Sequence, residues 1–171
     1  MITLIISIVG SMIALIEVGF IILRYSKETT RKRRAETIDI YNKIFNATYE
    51  LRDNYYKKTN KKLFVSDDIQ QNVEIYKHVM SHLTLLESFA KGLEYEVYDF
   101  KTFVYLTPNE LFEILNSLKQ FVYDERKAKS YELLFNDFIC LTDVMSLCIQ
   151  NKIHGKKIKF NYSNVKRYSK C

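Results

Sequence analysis

Turn-forming residues are scarce in this chain, with four glycines and one proline among 171 residues. All-β folds need such residues at short intervals to reverse direction, so the scarcity excludes them and favours long helices. No glycine or proline occurs between Gly19 and Gly92. Cysteine is sparse too. Cys140, Cys148 and Cys171 are odd in number and lack paired short spacing, which excludes a disulfide framework and leaves reduced thiols, two of them small core residues. The chain has no H-E-x-x-H, no glycine-rich phosphate loop, no G-x-S-x-G and no R-x(4–6)-H element. The enzyme classes that depend on those arrangements are set aside, and no catalytic residue and no cofactor is assigned. With 47% apolar residues and 14% aromatics, the middle of the chain has enough core-forming material to exclude disorder.

The charge that is present is unevenly spread. Residues 24–34 carry six cations (Arg24, Lys27, Arg31, Lys32, Arg33, Arg34) against Glu28 alone, and residues 156–171 carry six more with no acid. Residues 35–155 hold 14 basic and 18 acidic side chains, net −4, so the overall +6 resides in two flanks. Clusters of this kind attract anionic lipid headgroups by about 1 kcal/mol per residue, which assigns residues 24–34 to headgroup contact. For the tail, lipid, nucleic acid and an acidic partner all stay open.

Between Met1 and Leu23 the only charged side chain is Glu17. A helix of this length, at ~1.5 Å per residue, matches a ~30 Å hydrocarbon core, so the expectation is a single transmembrane helix over residues 1–23. The basic flank that follows places the C-terminal side in the cytoplasm and the N-terminus outside. Thr3, Ser7, Gly10, Ala14 and Glu17 recur at steps of 4, 3, 4 and 3, forming a stripe of small and polar residues. Such stripes let helices approach closely, which predicts self-association; the competing reading has Glu17 reaching the interface alone.

The remainder reads as an all-α bundle of about four helices over residues 35–155, carried on the basic segment 24–34 and followed by a basic tail, 156–171. Ile38, Tyr41, Phe45, Thr48 and Tyr55 recur at helical spacing, and Lys57 to Lys62 reads as a loop. Ser66-Asp67-Asp68 predicts a helix start, with Gly92 as its stop. A short helix after Asp99 is expected, and Thr107-Pro108-Asn109-Glu110 reads as a capping box. A charged break at Asp124 to Lys129 and a final helix from Ser130 to about Asn151 complete the reading. Glu74, His78 and His82 share one helix face, a weak metal candidate beside the simpler reading of a solvated polar face. Glu87 falls on the apolar stripe of its helix and therefore needs a partner: a tyrosine hydroxyl, Arg126 or a helix terminus.

The run Leu-Leu-Glu-Ser-Phe-Ala-Lys-Gly-Leu-Glu-Tyr-Glu-Val-Tyr-Asp, Leu85 to Asp99, resembles an uncharacterised bacterial family of short single-span proteins with a helical domain of unknown function. Glu87, Ala90, Gly92 and Asp99 carry the likeness. The resemblance implies an all-α membrane-anchored domain and no activity; similar architectures occur among effectors of anti-phage systems. The leading expectation is thus a non-enzymatic interaction module of the inner membrane, homo-oligomeric, acting as a membrane effector. A scaffold recruiting a cytosolic protein, and a nuclease-like enzyme with an unrecognised site, are the alternatives.

Overall fold

The computed structural model describes the backbone of residues 2–153 and the side chains of residues 16–149. Seven helices follow one another among the described residues: α1 (Ile2–Thr59), α2 (Ser66–Gln71), α3 (Val73–Glu94), α4 (Phe100–Leu106), α5 (Asn109–Ser117), α6 (Lys119–Lys129) and α7 (Asn136–Ile153). The all-α class therefore holds, with seven helices in place of about four.

The expected transmembrane helix is corrected. No helix among the described residues is long and apolar enough to cross a membrane. The physical reason is legible in α1: from Glu17 onward no uncharged stretch exceeds six residues or ~9 Å, as from Val18 to Leu23 before Arg24, and a charge falls on nearly every turn.

Helix α1 organises the rest. Its buried positions are Thr37, Tyr41, Ile44, Thr48, Leu51 and Tyr55, at steps of 4, 3, 4, 3 and 4, the seam of a 3.5-residue repeat. Helix α3 runs antiparallel beside it: Glu74 pairs with Lys58, His82 meets Thr48, and Glu96, just beyond α3, pairs with Arg33. Phe89 at the centre of the core packs on Phe103 of α4 at 4.7 Å between ring centroids and on Tyr98 at 5.2 Å. Helix α7 closes the bundle with Phe138, Leu141, Val144 and Cys148 fully buried, consistent with the broad apolar face expected of a central helix.

Several expected boundaries move, each for a local reason. The helix expected from Ser66 breaks at Asn72, whose side chain accepts hydrogen bonds from the amides of Glu74 and Ile75 and caps a new helix. Ser66 itself is the first residue of α2, and its buried hydroxyl has no hydrogen-bond partner. Gly92 does not stop α3, which continues to Glu94. A Cβ on Gly92 would lie 2.4 Å from the Tyr98 ring, so glycine is required by close approach. The capping box does not form, because the Thr107 hydroxyl donates to the Phe103 carbonyl at the end of α4 and Glu110 is drawn to Arg52. Residues 124–129 are helical, ending at Ser130 in the left-handed region (φ 51°), and the last helix begins at Asn136 rather than Ser130.

Candidate functional site

Two lengths of α1 have opposite surroundings. Residues 16–36 have no buried side chain among them, and those before Arg33 project from the body. Ile16, Val18, Phe20, Ile21, Ile22, Leu23 and Tyr25 are all more than half exposed, Phe20 at 70%. Large apolar side chains at that density in water are a contact surface in waiting. Arg24, Lys27, Arg31 and Lys32 follow them on the same exposed rod. Glu17 is exposed as well; Thr3, Ser7, Gly10 and Ala14 lie outside the described side chains, as does the basic tail 156–171.

The basic segment 24–34, expected to meet headgroups as a unit, is divided. Arg33 donates from Nη1 to Glu96 Oε2 at 3.3 Å, and Arg34 from Nε to Asp99 Oδ2 at 3.2 Å. Three residues further, the Thr37 hydroxyl accepts the Asp99 amide at 2.7 Å while donating to the Arg33 carbonyl. Asp99 also caps α4 by accepting from the Thr102 amide. The turn between α3 and α4 is thereby clasped to the base of the projecting arm. Both ion pairs are substantially exposed, so they contribute placement more than stability, each worth at most about 1 kcal/mol.

The Leu85–Asp99 run accounts for much of this clasp. Ala90 is fully buried, Gly92 admits the Tyr98 ring, and Asp99 caps α4 while holding Arg34. Glu87 is half-buried and accepts the Phe138 amide at 2.7 Å, at the start of α7, so a helix terminus is its partner. Burial raises its carboxyl above the ordinary range, and hydrogen bonds from the Phe138 and Asp137 amides pull the other way.

The Glu74–His78–His82 face does not converge. Glu74 turns to Lys58, and His82 turns inward, 6% exposed, its Nε2 3.0 Å from the Thr48 hydroxyl. Because that hydroxyl already donates to the Ile44 carbonyl, His82 Nε2 carries the hydrogen. Burial lowers the His82 pKa to about 4, so the ring is neutral at physiological pH. Among the described residues no group of three or more His, Cys, Asp or Glu is placed to hold a metal ion. His78 instead lines an open cleft of about 480 Å³ between α1 and α3 with Glu50, Asn54 and Ser81.

A family model described as "Domain of unknown function (DUF4760)" matches residues 4–143. The chain belongs to the DUF4760 family. The matched stretch includes the projecting arm, the clasp and the first part of α7, so the arm is part of the family domain rather than an appendage to it. No curated protein and no solved structure matches the chain.

Sequence reasoning missed Arg33 and Arg34 as clasp residues, and Asn72 as a cap. A signal for Asn72 existed, since an Asn directly before Val73-Glu74 is an ordinary helix start. Pairing across 63 and 65 residues leaves no local signal.

Proposed function

We propose that this DUF4760 protein is a non-enzymatic helical interaction module that engages an anionic membrane surface through the projecting arm of α1. One observation carries the reading: residues 16–25 expose seven large apolar side chains, and four exposed cations lie on the same helix from Arg24 to Lys32. Apolar side chains beside a cationic stretch are the composition that interfacial helices use, burying the first and placing the second among headgroups. The interior supports a structural rather than catalytic use of its polar groups. His82 is bound to Thr48, Glu87 to the start of α7, and Glu125 to Tyr76 and Lys129.

Co-flotation of the full chain with vesicles tests the reading. Binding is expected to vesicles containing phosphatidylglycerol and to weaken as salt rises. Replacing Arg24, Lys27, Arg31 and Lys32 together by Gln is expected to lower affinity by about 10²–10³-fold, at about 1 kcal/mol per cation. Equal affinity for neutral and anionic vesicles, or no change in the four-Gln variant, overturns it.

A further inference from the structure

The turn after α3 presents its side chains to opposite sides. Tyr98 folds inward onto Gly92 and Phe89, while Tyr95 and Val97 point out, 77% and 48% exposed. Between them Glu96 is held in the left-handed region, φ 56°, a conformation that costs a non-glycine residue about 1 kcal/mol or more. Hydrogen bonds from the Val97 and Tyr98 amides to the Gly92 carbonyl, at 2.9 and 3.3 Å, hold the turn closed. Because the clasp ties Glu96 and Asp99 to Arg33 and Arg34, this turn sits at the end of the body nearest the arm.

We infer that the Tyr95–Tyr98 turn is a second lipid-contacting element, set against the interface of an anionic bilayer beside the arm. This rests on the membrane reading of the arm and adds both a contact and an orientation to it. Tyrosine suits that depth, its ring apolar and its hydroxyl wet. Within the turn and its cap, the acids that anionic headgroups would repel, Glu96 and Asp99, face arginines, so this part of the turn meets the surface with its charge compensated.

Geometry fixes which way the arm leans. At 1.5 Å per residue an upright α1 would hold Arg33 about 14 Å from Arg24, beyond a headgroup layer of roughly 5–8 Å. Leaning toward α3 closes that gap. At 100° per residue the side of the arm that would come down is Gly19, Leu23, Ser26 and Thr30, which continues the docking seam of Thr37 and carries no charge. Arg24, Arg31 and Lys32 fall on the other side and Lys27 at the edge between the two, where their long stems reach headgroups from above the buried face.

The chain has no tryptophan, so single reporters can be placed in the full protein. Phe20→Trp reports on the arm, Tyr95→Trp on the turn, and Tyr56→Trp on an exposed site about 33 Å further along α1 than Arg34. With phosphatidylglycerol vesicles containing brominated lipid, emission from Phe20→Trp and Tyr95→Trp is expected to shift to the blue and to be quenched by about half or more, while Tyr56→Trp stays unchanged. Quenching at Phe20→Trp but not at Tyr95→Trp overturns the turn contact and leaves the arm reading intact. No quenching at Phe20→Trp overturns the arm reading and this inference with it. Equal quenching of all three reports unoriented adsorption and also overturns the inference. As a second measurement, replacing Tyr95 and Val97 together by Ser is expected to weaken vesicle binding by about tenfold with unchanged circular dichroism. Unaltered binding counts against the contact.

Discussion

Along residues 37–59, α1 buries a side chain every three or four positions, whereas along 16–36 it buries none. The two lengths differ less in composition than in what their polar groups do. In the docked length, each polar side chain on the seam reaches another part of the fold: Thr37 the start of α4, Tyr41 the Leu106 carbonyl at its end, Thr48 the middle of α3, and Tyr55 both Asp68 and the Val65 amide. In the arm, Thr29 and Thr30 make the same local bond to the carbonyl four residues back, and neither hydroxyl bonds another element among the described residues. A helix that is a scaffold at one end is a probe at the other, and the clasp at Arg33, Arg34 and Thr37 marks the boundary.

Cavity formation tests that boundary most strongly. Ile44 is fully buried and Ile22 is 62% exposed on the same helix. Ile44→Ala is expected to destabilise the fold by about 2–5 kcal/mol in urea titration, and Ile22→Ala by no more than about 0.5 kcal/mol. Comparable costs at the two sites would mean that the arm packs against something, and the division of α1 would be wrong.

Acid probes the docked length alone. The folded pKa of His82 is lowered to about 4 from 6.5, so between those values the unfolded chain binds the extra proton and the folded chain resists it. Stability contributed by the neutral ring is therefore complete above pH 6.5 and is lost as pH falls toward 4, by at most about 3 kcal/mol. Glu87 has the opposite sign: its raised carboxyl favours the folded state at low pH and loses that share as pH rises through the folded value. Comparing the chain with His82→Gln cancels the Glu87 contribution. The variant is expected to lose most of the fall between pH 6.5 and 4, and a fall of equal size in both proteins would remove His82 from the account.

Much of the docked length was legible in the sequence, because one helix face must be apolar to be buried. Tyr41, Thr48 and Tyr55 were read correctly as seam residues, although Ile38 and Phe45 flank the seam and Ile44 and Leu51 define it. The short helix after Asp99 and the need of Glu87 for a partner were legible for the same kind of reason, local capping chemistry and the cost of burying a carboxylate, though which of three partners it takes, a helix terminus, was not. What was not legible depends on partners distant in sequence. Gly92 looks like a stop signal until Tyr98 is seen lying over it, and Thr107 looks like a cap until its hydroxyl is seen committed to Phe103. The apolar run near the N-terminus suggested a full span, while the described part of the helix is too charged for one. The division of the cationic segment into free and clasped residues could not be foreseen from a count of lysines and arginines.

The smallest effect gives the sharpest comparison. Thr37→Val and Thr30→Val each delete one hydroxyl that bonds the carbonyl four residues back. Only Thr37 also accepts a bond from another element, the Asp99 amide, in a fully buried position. Valine there leaves the Asp99 amide without its acceptor, an expected cost of about 1–3 kcal/mol. At Thr30, facing water, the expected change is within about 0.5 kcal/mol. Urea titration of the two variants therefore separates the tertiary share of the bond from the local one. If Thr37→Val proves as mild as Thr30→Val, the seam is held by its apolar residues alone and the clasp rests on its two exposed ion pairs. Arg33 and Arg34 would then be free to leave Glu96 and Asp99 for other anions, and the turn would no longer be fixed at the base of the arm.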